Sequence, residues 1–78
     1  MKDKEILTEA MKARGFTQQM LAEAAGFKRQ SNVAELLRSN SMRMNNFVKL
    51  LDALGFDVIV KDRNSRKNEN VWKVDKQQ

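Results

Sequence analysis

The run Arg29-Gln30-Ser31-Asn32 sets four hydrogen-bonding side chains in succession. A glutamine amide can pair bidentately with adenine N6 and N7 in a major groove, and a guanidinium suits guanine O6 and N7. Serine and asparagine are short enough to reach base edges from the first turn of a helix. Around this run stand Lys28, Arg38, Asn40 and Arg43. Their chemistry is that of phosphate contacts, which set register and carry no sequence information. Glu35 could accept from a cytosine amine, or pair with Arg38 three residues on within one helix. Taken singly, Gln30 and Asn32 fit an ordinary solvated helix face equally well, so the reading depends on their setting.

Charge placement is part of that setting. The 78-residue chain carries a formal net charge of +5. Residues 1–27 are neutral overall, 28–49 hold five basic groups against Glu35 alone, and 50–78 are nearly balanced. The excess thus falls on the segment that bears the polar run. A charge run can be a plain solvated face, but a polyanionic partner gives this one a purpose.

Other chemistries are excluded by absence. The sequence has no cysteine and no histidine. Disulfides, thiolate metal sites and histidine general bases are therefore out, and with them the Ser-His-Asp, Cys-His and zinc-hydrolase classes. No metal or cofactor is expected, and no enzymatic activity. Asp57 and Asp62 fit no metal or acid–base spacing and read as surface groups. No stretch approaches the ~20 apolar residues of a membrane helix, and Met1 to Glu9 lacks a signal peptide's apolar run. A soluble, cytoplasmic protein, bacterial or phage-encoded, is the expectation.

The elements that must position the polar run follow from periodicity. Ile6, Leu7, Ala10, Met11 and Ala13 predict a helix over Lys4 to Arg14, stopped by Gly15. Thr17 is an N-cap for a second helix over Gln18 to Ala24, ended by Gly26. Phe16 and Phe27 read as apolar anchors beside the two turns. Val33, Leu36 and Leu37 give the core stripe of a third helix over Gln30 to Arg38, capped by Ser31 or a residue just before it. A fourth begins near Met44, with Phe47, Val48, Leu50, Leu51 and Leu54 inward and Gly55 at its left-handed end. The period then changes. Phe56, Val58 and Val60 alternate with Asp57, Ile59 and Lys61, which predicts a strand. Val71 to Val74 could pair back on it as a hairpin across the polar loop Asp62 to Asn70. Met20, Met42 and Met44 read as core filler, and Trp72 as a packing residue on the appendage.

Two short helices joined by a tight turn need a small residue at their crossing, a residue tolerant of positive φ in the turn, and apolar anchors on both. Ala22, Gly26, and Leu21 with Phe27, Val33 and Leu36 meet all three needs. On these residues the chain resembles the phage repressor and Cro-like helix-turn-helix family (the XRE type). Gly-Phe-Thr-Gln at 15–18 is similar to the family's opening of its second helix. Leu21-Ala22 and Gly26 match its crossing alanine and turn glycine. Gln30-Ser31-Asn32-Val33 resembles the start of its recognition helix, and Asp52-Ala53-Leu54-Gly55 the end of its last core helix. The likeness covers about residues 3–60. One more residue than the commonest spacing separates Gly26 from Val33, which leaves Lys28, Arg29 and Gln30 as alternative leads of the third helix.

The resemblance implies a mainly α fold: a four-to-five-helix repressor-like helix-turn-helix domain with a short C-terminal β-strand or hairpin. Residues 1–55 would form the DNA-binding domain, and residues 56–78 a β appendage and tail for dimerisation. Arg29, Gln30, Ser31 and Asn32 would read bases. Gln18, by carry-over from the family, would hold a phosphate with Lys28, Arg38, Asn40 and Arg43. The implied function is a sequence-specific regulator of transcription, a repressor bound as a homodimer to a near-palindromic operator in double-stranded DNA. Val58, Ile59 and Val60 offer a strand edge to a symmetry mate; the alternative is that the hairpin covers its own helices. The alternative function is an antitoxin that binds a toxin protein and autoregulates its operon.

Overall fold

The computed structural model describes residues 2–39, 42–64 and 70–76. Among them are four helices and two strands: α1 (Asp3–Arg14), α2 (Gln18–Ala25), α3 (Gln30–Arg38), α4 (Met44–Ala53), β1 (Val58–Lys61) and β2 (Val71–Val74). The fold is mainly helical with a C-terminal antiparallel hairpin, as the periodicities predict.

Each helix contributes one fully buried aliphatic side chain to a common centre: Leu7, Leu21, Val33 and Leu50. Ala10, Ala22, Ala25, Leu51 and Leu54 complete the buried cluster, and Phe16, Phe27, Leu36 and Leu37 pack on its margin. Burying aliphatic surface of this kind is the main stabilising contribution, roughly 1.5–3 kcal/mol for each large side chain. Among the described residues no polar or charged residue is buried, so the core leaves no polar side chain to be satisfied inside it.

The helix ends follow local chemistry. α1 has Asp3 and Glu5 in its first turn and Lys12 and Arg14 in its last, both favourable to the helix dipole. It begins one residue before the expected start. The Thr17 side chain accepts from the Met20 N–H at 3.1 Å and caps α2. Gly26 ends α2 at φ 82°, and the Phe27 N–H returns to the Ala22 carbonyl at 2.9 Å. A Cβ on Gly26 would meet no atom within 4 Å, so glycine is required there by the backbone alone.

At the far end of α4 the Phe56 N–H closes on the Leu51 carbonyl at 2.9 Å. That bond belongs to the helix terminus, so β1 begins at Val58 and not at Phe56. The hairpin register pairs Val58 with Val74, Ile59 with Lys73, Val60 with Trp72 and Lys61 with Val71. Val58 packs against the core. Exposed ion pairs Lys73–Asp57 (3.5 Å) and Lys76–Asp52 (3.2 Å) lie beside it; pairs of this kind contribute little.

Three residues expected to pack are left uncovered. Met42 packs on the core, but Met20 and Met44 are exposed, and so is Trp72. Met44 opens α4 and Trp72 sits in a two-stranded sheet, positions where the described fold supplies nothing to cover them. No helix is long and apolar enough to cross a membrane among the described residues.

Candidate nucleic-acid interface

The third helix is held by its inner face. Val33 is fully buried, Leu36 and Leu37 are half-buried, and α3 packs chiefly on α2, which packs in turn on α4. Most of the polar side chains around α3 face away from that anchorage. Arg29, Gln30, Ser31, Glu35 and Arg38 are exposed, and Asn32 is half-buried. Spacing of four and then three residues places Ser31, Glu35 and Arg38 on one outward stripe. Asn32 lies on the flank, nearer the buried side. The four residues expected to read bases are therefore presented together at one end of α3, three of them exposed.

The lead of α3 is resolved by the backbone. Arg29 is the N-cap, with extended backbone, and Gln30 is the first helical residue. Ser31 stands inside the helix and does not cap it. No side chain caps this end, and no acidic residue lies in the first turn. The same holds at α4, where Arg43 is the N-cap. Uncapped first-turn amides point out of a helix and carry its positive end, so both termini can donate to a phosphate oxygen. Gln18 opens α2, half-buried, behind the Thr17 cap.

The cations of this region divide by role. Lys28, Arg29, Arg38 and Arg43 are exposed and take part in no ion pair among the described residues. In particular, Glu35 and Arg38 do not pair, which leaves both side chains available. Lys49 is engaged differently: its ammonium lies 4.7 Å from the centre of the Phe27 ring. It secures the anchor that follows the α2–α3 turn. Arg14 does the equivalent at the other end of the domain, over Phe56 at 4.2 Å. Asn40 lies outside the described residues.

One position escaped the sequence reading. Asn45 is exposed in the open first turn of α4, two residues after Arg43. The available signal was Arg43-Met44-Asn45-Asn46, a helix start with no Ser, Thr or Asp at the cap position. Of the residues expected at a dimer edge, Val58 is half-buried on its own core, while Ile59 and Val60 are exposed. No group of three or more acidic, histidine or cysteine side chains is placed to hold a metal among the described residues.

This arrangement defines a class of surface: a short helix anchored by three aliphatic residues, displaying hydrogen-bonding side chains between cations that form no ion pair among the described residues. No family model, no curated protein and no solved structure matches the chain.

Proposed function

We propose that this protein is a sequence-specific double-stranded DNA-binding regulator of transcription, a repressor that occupies a near-palindromic operator as a dimer. The observation that carries the reading is the exposure of Arg29, Gln30 and Ser31 at the uncapped start of α3, with Val33 locked in the core behind them. A helix held in this way can enter a major groove without disturbing the domain. Gln30 is matched to adenine, Arg29 to guanine, and Ser31 and Asn32 to adjacent base edges.

Lys28, Arg38 and Arg43 flank that end and supply the sequence-independent attraction to phosphates. The open N-termini of α3 and α4 and the amide of Gln18 add neutral donors to the backbone grip. One such unit covers a half-site, so two copies would sit about one turn, ~34 Å, apart on the duplex. A repressor built this way acts by occlusion, blocking polymerase where it binds.

Selection of binding sites from random duplex DNA tests the reading. The expected product is a short near-palindrome whose affinity falls steeply with salt. Recovery of no preferred sequence, together with binding indifferent to salt, would remove DNA from the account.

A further inference from the structure

One side chain on the outward stripe of α3 has the wrong sign for a polyanion. Glu35 is the only acidic residue between positions 28 and 49, a segment with five basic groups. It stands two residues, and so about 200° around the helix, from the fully buried Val33. That places it almost opposite the anchored side, and it is exposed. Among the described residues its carboxylate forms no ion pair, with Arg38 or any other cation, and accepts no hydrogen bond.

We infer that Glu35 selects a cytosine in the major groove, accepting from its N4 amine, and so fixes one position of the half-site. The inference rests on the DNA reading proposed above and deepens it. The other polar side chains on this face of α3 are ambiguous: Arg29, Gln30, Ser31, Asn32 and Arg38 can all donate, to a phosphate oxygen as readily as to a base. An ionised carboxylate only accepts. Phosphate oxygens offer it no donor, and their charge repels it. When α3 enters a groove, Glu35 is left with base edges. Guanine presents two acceptors there, N7 and O6, and thymine presents O4 and a methyl group. Adenine sets its N6 amine next to the N7 acceptor. Cytosine presents the N4 amine alone, so it satisfies a carboxylate without opposing it.

The same charge works against every other sequence. On a duplex without cytosine at that place, Glu35 is an unmatched anion facing a polyanion, and it offsets part of the attraction that Lys28, Arg38 and Arg43 supply. Discrimination therefore comes from repulsion at wrong sites as well as from a bond at the right one. Ser31 and Glu35 are about one helical turn apart, ~6 Å along the axis, and base pairs stack at ~3.4 Å. The cytosine accordingly belongs about two steps from the base that Ser31 meets.

Site selection from random duplex DNA is run with the wild type, Glu35→Gln and Glu35→Ala, followed by competition binding on the selected duplex, its single base-pair variants and random duplex. The wild type should require cytosine at one position of the half-site and lose about 10–100-fold when that base pair is changed. Glu35→Gln should move the preference at that position alone from cytosine to adenine, since an amide pairs with N6 and N7. Glu35→Ala should lose the preference there and keep it elsewhere. It should also bind random duplex several-fold more tightly at low salt, a gain that fades as salt rises. Both variants should keep the helical circular dichroism of the wild type, because the side chain is exposed and alanine and glutamine are good helix formers. A preference unchanged in both variants overturns the inference and puts Glu35 outside the groove. So does a preference lost in Glu35→Gln without the move to adenine; if Arg38→Ala loses the same base pair, Glu35 positions a guanidinium on the guanine opposite. A wild type that selects no sequence at all is a separate failure, that of the DNA reading, and the inference falls with it.

Discussion

Arg14 and Leu54 are forty positions apart, and the Nε–H of the one donates to the carbonyl of the other at 2.9 Å. The same guanidinium reaches the Gly55 carbonyl at 3.4 Å and lies over the Phe56 ring. A single side chain at the end of α1 thus ties down the end of α4 and the start of the segment that leads to β1. Arg14→Ala removes a charge-assisted hydrogen bond and a cation–π contact together. It should lower unfolding stability by about 1–2 kcal/mol, measured by urea denaturation. Arg14→Lys should recover only part, because lysine cannot present the planar fork. A variant as stable as the wild type would mean that the joint is ornamental.

Gln30 offers the sharpest test of base reading. Its side chain is exposed and contributes nothing visible to the core, so Gln30→Ala should fold normally. On a selected site it should cost about 1–3 kcal/mol, and on random duplex almost nothing. Competition binding against both kinds of DNA separates the two terms. Equal losses on both would reassign Gln30 to the phosphate backbone.

Much of this architecture is legible in the sequence. The bounds of α3 and β2 coincide with those read from the sequence, since Val33, Leu36 and Leu37 mark a helical stripe and Val71 to Val74 is closed off by polar residues. α2 runs one residue past Ala24, up to the Gly26 that the sequence marks as its end. β1 starts late because alternation cannot reveal that the Phe56 amide is already committed to Leu51. Burial was harder. Apolar type alone marks Met20 and Met44 as core filler and Trp72 as a packing residue on the hairpin, yet whether a hairpin face or a helix start is covered depends on what packs over it, and periodicity carries no such information. The polar stripe of α3 was legible for the converse reason: charged and amide side chains avoid a core this short of partners. The periodicity places the start of α3 at Gln30 while the spacing after Gly26 leaves Lys28 and Arg29 as alternatives, because neither Arg29 nor Gln30 is a typical cap.

Asp62 gives a pH signature at the hairpin. Its carboxylate accepts from the Asn64 backbone N–H at 2.9 Å and from the Asn70 amide at 3.0 Å. These bonds, the backbone one foremost, hold its carboxyl below the usual carboxylate range. The folded pKa is depressed, so the stabilisation is present above the unfolded value of about 3.9 and disappears as pH falls through the folded value. A carboxyl-carbon NMR titration should place Asp62 below a typical aspartate. Asn70→Ala should move it partway back, leaving the Asn64 contribution. An unmoved titration would show that the side-chain bond has no energetic weight at this exposed site.

Arg38 and Arg43 separate attraction from recognition. Both are exposed, neither is paired among the described residues, and they come from different elements, the last turn of α3 and the cap of α4. A phosphate contact contributes equally to every sequence and is screened by counterions. Arg38→Ala and Arg43→Ala should therefore weaken binding to selected and random duplexes alike, and each should reduce the salt slope by about one. The two sites sit on separate helices, so their effects on affinity should add in the double variant. Arg38 carries the stricter version of the test. It shares the outward stripe of Ser31 and Glu35, so its guanidinium could instead face a guanine. In that case Arg38→Ala would lose affinity at one base position of the selected site while random duplex binding held steady. Titrations of both duplexes at several salt concentrations distinguish the outcomes, and a position-specific loss would move Arg38 from the grip on phosphate to the reading of sequence.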